Sequence, residues 1–250
     1  MFFPQAELQL NPSDVGCDFE EVTFGPDRLH GWWLGGPGPH TLIYYHGNGG
    51  NVGANAEHAC RLQRFGFSVL IFDYRGYGRS VGDFPSEQAV YDDAQAAWDF
   101  VTRARKVAPG SVILYGHSLG GAIAVEIARR HPDAAGLIAE STFTSVYDMG
   151  TRDGMYAIFP LRLLLNQKLD TISKIPSVKM PVLFIHGMAD TIVPHDMSET
   201  LFAAAHQPKT LVLVPQAGHE NVAAVGGEVY RTAVLRFAES LVQRPAAVGR

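Results

Sequence analysis

The stretch Gly116-His117-Ser118-Leu119-Gly120 decides the fold of this 250-residue chain. An apolar run over residues 112–115 precedes it and small, apolar residues 121–125 follow it, which predicts a strand, a tight turn and a helix. A serine in such a turn has a strained backbone that tolerates only small neighbours, and its Oγ is presented at the sheet edge above a helix N-terminus. The pattern predicts that Ser118 is a covalent nucleophile.

Predicted strands and helices alternate along the rest of the chain. Apolar or alternating runs predict eight strands, at residues 19–24, 29–34, 41–45, 68–72, 112–115, 136–139, 182–185 and 210–214. The first two form an antiparallel hairpin at a sheet edge. Helical spacing predicts helices over residues 52–65, 86–105 and 196–205, and a closing helix through Val229, Ala233, Phe237 and Leu241. This order predicts an α/β fold, a mostly parallel eight-stranded sheet covered by helices on both faces.

Length and composition favour a single domain over residues 1–250. Hydrophobic residues make up 46% of the chain and charged residues 18%, enough apolar side chains for a sizeable core. Residues 142–180 interrupt the alternation after the sixth strand and are long for a connection in an α/β unit. We predict a small helical insertion there, as a cap or lid.

Charge and cysteine content exclude several classes of protein. The net charge of −5, with scattered lysines and arginines, argues against nucleic acid as a partner. No window approaches the ~20 apolar residues of a membrane span, and the first residues lack a signal-peptide pattern. Cys17 and Cys60 have no CxxC spacing and are expected to be reduced thiols. These observations predict a cytoplasmic protein.

A serine nucleophile needs a base beside it and a group that orients the base. Asp190 follows the seventh strand and His219 follows the eighth. Because ligands bind at the carboxyl ends of parallel strands, we predict that Ser118, Asp190 and His219 meet there as nucleophile, acid and base.

Other residues compete for two of these roles. Glu140, which closes the strand after the elbow helix, is the alternative acid. His46 and His186 also follow strands but are expected to make structural hydrogen bonds. The side chain of His117, inside the elbow, is expected to point away from the pocket. Position after the last strand favours His219 as the base.

An acyl-transfer site also needs N–H donors for the oxyanion. The residue after the nucleophile, Leu119, supplies one, and the glycine-rich loop at residues 46–51 is predicted to supply the other from Asn48. The alternative is a tight turn without a catalytic role. Candidate substrate contacts are Gly47, His117, Phe143, Met149, Tyr156 and Ile192. In the loop after the fourth strand, the charges of Asp73 and Arg75 are expected to pair.

Five motifs in this order resemble the alpha/beta-hydrolase superfamily: HGNGGN, DYRGYGRS, GHSLGG, HGMADTIVP and AGHEN. Residues 140–145 and 163–165 are also similar to its small-capped serine hydrolases, a group that includes protein depalmitoylases. Depalmitoylases of that group have a cysteine-rich N-terminus, which MFFPQAELQL does not resemble. The resemblance implies a serine hydrolase of esters or thioesters without a cofactor.

We therefore expect hydrolysis of small-molecule carboxylic esters with short or medium acyl chains through an acyl-enzyme. A thioesterase or an amidase or peptidase with the same triad is the alternative, because the same groups serve all three bonds. A binding module without turnover is the alternative outside enzymes. Nucleotide-binding motifs and metal-ligand spacings are absent from the sequence, so no metal is expected.

Overall fold

The computed structural model describes residues 2–152 and 166–242, and in them ten strands form two sheets. The strands are β1 (Phe3–Pro4), β2 (Glu20–Phe24), β3 (Leu29–Leu34), β4 (Thr41–Tyr45), β5 (Gly49–Gly50), β6 (Ser68–Phe72), β7 (Val112–His117), β8 (Gly136–Glu140), β9 (Val182–Gly187) and β10 (Lys209–Val214). Eight of them form the main sheet in the order β10-β9-β8-β7-β4-β6-β3-β2. The hairpin of β2 and β3 is antiparallel and lies at one edge, as predicted, and the strands from β6 to β10 along the sheet are parallel.

Seven α-helices lie in the described residues. They are α1 (Ala56–Arg64), α2 (Glu87–Asp99), α3 (Leu119–Arg130), α4 (Val146–Thr151), α5 (Thr171–Lys174), α6 (Asp196–Ala204) and α7 (Val222–Val242). The helix predicted over residues 52–65 begins as a 3-10 turn, because the Asn51 side chain accepts the Gly53 N–H and caps it there. None of the helices in this part of the chain is long and apolar enough to cross a membrane.

Two apolar clusters, one on each face, hold the main sheet between its helices. Alternate residues of β4 illustrate the arrangement: Ile43 and Tyr45 pack with α2 and α3, whereas Leu42 and Tyr44 pack with α1 and α7. All five residues of β4 are buried. A strand buried on both faces explains the continuous apolar run in the sequence.

The two cysteines are joined, so the expectation of reduced thiols is wrong for this structure. Cys17 and Cys60 form a disulfide with 5.9 Å between their Cα atoms, within the usual range for such a bond. Gly16, in a left-handed conformation, ends a 3-10 turn at Pro12–Val15 and brings Cys17 against α1. Cysteine usage therefore gives no support for a reducing compartment, and the cytoplasmic location stays a prediction.

A buried carboxylate ties the elbow helix α3 to α5, the helix that precedes β9 in the chain. Glu126 is 3% exposed and binds Arg129, Arg130 and, at 3.1 Å, the Nζ of Lys174 on α5. Burial opposes its ionisation, but the hydrogen bonds and charges of these cations prevail and lower the pKa of Glu126 from 4.5 to about 2.

We expect Glu126→Gln to lower the free energy of unfolding by about 1–3 kcal/mol at pH 7, because charge-assisted hydrogen bonds are lost. A pKa that is depressed in the folded state contributes stability above the unfolded value of 4.5 and loses it as pH falls toward about 2. Urea denaturation of both proteins between pH 7 and about pH 3 should show the difference shrinking below about pH 4.5. A constant difference over that range would contradict the ion-pair explanation.

Candidate active site

The elbow holds Ser118 in a strained conformation between β7 and α3. Its φ of 53° and ψ of −119° are unfavourable for a residue with a side chain. A side chain at Gly116 would overlap the Gly120 carbonyl oxygen, and one at Gly120 would overlap the Tyr45 carbonyl oxygen, which explains the glycines on both sides. The Ser118 N–H donates to Glu140 O at 2.9 Å, and the Thr142 hydroxyl donates to Ser118 O at 2.9 Å. Neighbouring segments thus fix the backbone that carries Oγ.

Ser118, His219 and Asp190 form a continuous chain of hydrogen bonds. His219 Nε2 lies 2.9 Å from Ser118 Oγ, and His219 Nδ1 lies 2.7 Å from Asp190 Oδ2. All three side chains are buried. A carboxylate beside Nδ1 requires the proton there, so Nε2 is left as the acceptor for the serine O–H.

Asp190 is held as a carboxylate by four donors. Its Oδ1 accepts the N–H groups of Ile192 and Val193 at 2.9 and 2.8 Å, and its Oδ2 accepts from His186 Nε2 at 3.1 Å in addition to His219. Burial opposes ionisation, but the hydrogen bonds from His186, His219 and Val193 outweigh it and lower the pKa of Asp190. His186 therefore has the structural role expected for it.

A cavity of about 640 Å³ opens on this hydrogen-bonded chain. Its walls contain five of the six candidate substrate contacts, namely Gly47, His117, Phe143, Met149 and Ile192, together with Asn48 and Leu119. Tyr156, the sixth, lies outside the described residues. Helix α4, in the first part of the predicted insertion, contributes Val146 and Met149 to the wall.

Sequence reasoning missed several wall residues. Gln5 and Gln9 come from the N-terminal segment, Asn55 precedes α1, and Glu220 follows His219. Only Glu220 had a local signal, through its place beside the predicted base. The two glutamines have none, since they reach the cavity through contacts with residues more than 40 positions away.

His117 does not point away from the pocket as expected. The residue is part of the cavity wall, and its Nε2 lies 3.1 Å from the carbonyl oxygen of His219. Potential metal-ligating atoms of His117, His219 and Glu220 fall within 4.8 Å of one another. Both ring nitrogens of His219 already face Ser118 and Asp190, so an ion there would have to displace one of these bonds.

Glu140, the alternative acid, faces a different set of side chains. Its Oε2 accepts the Tyr115 hydroxyl at 2.5 Å, and that hydroxyl also lies 2.8 Å from His58 Nε2 and 3.0 Å from the Tyr230 hydroxyl. This buried polar cluster lies beneath the site on the α1 and α7 side. Asp190 therefore contacts His219, whereas Glu140 binds the Tyr115 hydroxyl.

The expected pairing of Asp73 with Arg75 is wrong. The Arg75 guanidinium binds Asp93 at 2.6 Å and Asp27 at 3.0 Å. Asp73 is fully buried, and its Oδ1 accepts the Val52 N–H at 2.8 Å. Asp73 and Arg75 are two positions apart and lie beyond the end of β6, where the chain turns, so the strand rule that would place them on the same side no longer applies.

Known proteins agree with this architecture. The alpha/beta hydrolase domain-containing protein WAV2 of Arabidopsis thaliana is 33% identical over 255 residues, which cover 92% of this chain and 82% of that protein. This chain belongs to the alpha/beta-hydrolase superfamily. A family model described as serine aminopeptidase, S33, matches residues 39–158 of this hydrolase. An uncharacterised Mycobacterium tuberculosis protein is 41% identical over 244 residues, covering 95% of this chain and 85% of the relative.

Solved structures of other alpha/beta hydrolases share the fold. A Pyrococcus furiosus esterase has a TM-score of 0.78 at 20% identity, covering 96% of this chain and 98% of the esterase. A Paleococcus ferrophilus monoacylglycerol lipase has a TM-score of 0.66 at 21% identity, covering 86% of this chain and 99% of the lipase. At these identities the likeness establishes the fold.

Proposed function

We propose that this alpha/beta hydrolase is a serine hydrolase that cleaves carboxylic esters. The observation that carries the proposal is the hydrogen-bonded chain from Asp190 through His219 to Ser118, which ends at a cavity wall. A serine, a base in the required tautomer and an ionised acid are the parts that acyl transfer needs. The names of structurally similar proteins, an esterase and a lipase, agree with this chemistry.

In the proposed reaction, Ser118 Oγ attacks the ester carbonyl carbon while His219 Nε2 takes the hydroxyl proton. The N–H groups of Leu119 and Asn48 stabilise the oxyanion of the tetrahedral intermediate. Its C–O bond then breaks, and His219 gives the proton to the leaving alcohol. A water molecule, deprotonated by His219, attacks the acyl-enzyme, and the acid product leaves as Ser118 regains its proton.

We propose short or medium acyl chains, because the predicted insertion is small and would enclose only a small part of the substrate. Apolar side chains line one part, from Phe143, Val146 and Met149 of the insertion and from Ile192 and Val193 beside Asp190. An acyl chain against these side chains would bury apolar surface. The insertion would then act as the cap over the acyl group.

Matched butyryl substrates test the proposal. We expect kcat/KM for p-nitrophenyl butyrate to exceed that for the p-nitroanilide at least about 100-fold, because ester alcohols leave more readily than amines. A fluorophosphonate should label Ser118, as located by peptide mass spectrometry, and a C2 to C16 ester series should peak at C8 or below.

Other outcomes separate the alternatives. Faster cleavage of the butyryl thioester, or of an amino-acid anilide as the aminopeptidase description suggests, would move the function to that bond. A folded protein that is neither labelled nor active on any of these substrates would instead be a binding module.

A further inference from the structure

The N-terminal arm, residues 2–10, lies against the loop that follows β4. Strand β1 pairs in parallel with β5, with Phe3 opposite Gly49 and Pro4 opposite Gly50. The Gln5 N–H donates to Gly50 O at 3.3 Å, and the Gly78 N–H donates to Gln5 O at 2.9 Å. Gly49 directly follows Asn48, so the arm holds the loop that contains the proposed oxyanion donor.

Asn51 fastens the arm from the other side. Its side-chain Nδ2 donates to the carbonyl oxygens of Gln5 at 3.0 Å and Glu7 at 2.6 Å. Its Oδ1 accepts the Gly53 N–H at 2.9 Å, and the residue is 2% exposed. The buried Asn51 amide both donates and accepts hydrogen bonds, and it thereby fixes the arm to the loop.

The Asn48 side chain and carbonyl are also held. Its Oδ1 accepts the Phe3 N–H at 3.2 Å, and the Tyr77 hydroxyl lies 2.9 Å from Asn48 O and 3.2 Å from Asn48 Oδ1. Burial raises the pKa of Tyr77, which keeps its hydroxyl protonated as a donor.

The peptide between Gly47 and Asn48 is fixed at its carbonyl as well. His46 Nδ1 lies 2.8 Å from Gly47 O, a distance that requires an N–H donor. In a trans peptide the next N–H points opposite to the carbonyl, so the Asn48 N–H is directed away from His46. Glycines at positions 47, 49 and 50 would let this peptide rotate if its neighbours did not hold it.

We propose that the N-terminal arm, Asn51 and Tyr77 form a positioning clamp for the oxyanion hole. The clamp holds the Asn48 N–H where negative charge develops on the substrate. Its members are positioning residues, since they act through the backbone of Asn48 rather than on the substrate. This inference rests on the proposed acyl-transfer function.

Two variants remove parts of the clamp without removing the donor. Tyr77→Phe deletes one hydroxyl and keeps the ring, whereas Asn51→Asp keeps the acceptor for Gly53 and loses the donors to the arm. A misplaced donor weakens the stabilisation of the transition state but leaves substrate binding unchanged. We therefore expect kcat for p-nitrophenyl butyrate to fall about tenfold or more, with KM changed less than about threefold. Inhibition by butylboronic acid, whose tetrahedral adduct mimics the intermediate, should weaken in parallel.

Tyr45→Phe is the matched control. Tyr45 is fully buried like Tyr77, but its hydroxyl faces Ala94 O at 3.5 Å, away from the loop, and kcat should stay within about twofold. Circular dichroism checks that each variant is folded. The kcat and the boronic acid affinity of either folded clamp variant are sufficient to test the proposal. Unchanged kcat and boronic acid affinity, even with a lower Tm, would overturn the clamp. An inactive, unlabelled wild-type protein would instead overturn the proposed function.

Discussion

Ser118→Ala will lower kcat/KM for p-nitrophenyl butyrate by at least about 10⁴-fold. The substitution removes the atom that forms the acyl bond, and His219 then has no hydroxyl to deprotonate at 2.9 Å. What remains is slow attack by water, helped by the oxyanion donors. Steady-state kinetics on the purified variant, with fluorophosphonate labelling, measures the loss. The effect should lie in kcat, since the cavity walls are unchanged.

Ser141→Ala provides a control of the same chemistry. Ser141 is fully buried next to the elbow, has a positive φ of 48°, and its Oγ has no hydrogen-bond partner among the described residues. Loss of this hydroxyl should change kcat/KM less than about threefold. Turnover by Ser118→Ala near the wild-type rate, or an equal loss in both variants, would contradict nucleophilic catalysis by Ser118.

Local patterns were sufficient to predict the fold and the meeting of Ser118, Asp190 and His219. Ser118 directly follows β7, and Asp190 and His219 lie in the loops that follow β9 and β10, so the carboxyl ends of parallel strands bring them to one edge. The predicted eight-stranded sheet and its antiparallel edge hairpin are confirmed. They were predictable because apolar runs and turn residues, each only a few positions long, specify them locally. The hydrolase superfamily followed from motifs that span these strand ends.

Features that depend on distant contacts could not be predicted. The N-terminal arm reaches the loop after β4 across more than 40 residues, and the segment MFFPQAELQL has no periodicity that would indicate a strand. The disulfide joins cysteines 43 residues apart. Neither contact leaves a local pattern, because each becomes favourable only after the sheet and α1 are in place.

The sequence also left the acid undecided between Asp190 and Glu140. Asp190 follows β9 and Glu140 ends β8, and β-sheet register places Glu140 opposite His117, close to the elbow. The direction of the side chain decides between them, because Asp190 reaches His219 at 2.7 Å while Glu140 turns to the Tyr115 hydroxyl. Strand alternation gives this direction only once the end of each strand is known to within one residue.

Asp190→Asn should therefore lower kcat for ester hydrolysis by about 10⁴-fold while the protein stays folded. An amide can donate to His219 Nδ1, which moves the ring proton to Nε2 and leaves no acceptor for the serine hydroxyl. Because hydrogen bonds depress the pKa of Asp190, the wild-type carboxylate keeps its charge throughout the neutral range. The loss should thus persist across neutral pH, as pH–rate profiles of both proteins would show.

Glu140→Gln is the matched change at the alternative acid. Its side chain binds Tyr115 and not His219, so we expect a lower Tm but kcat within about fivefold of wild type. The two variants have the same change of charge and similar burial, and they differ in which carboxyl orients the base. A large loss of kcat in Glu140→Gln with activity retained in Asp190→Asn would reverse the assignment. Loss in both at equal magnitude, with the folds intact, would show that the two carboxyls act on His219 through a shared network, contrary to the separate hydrogen bonds seen here.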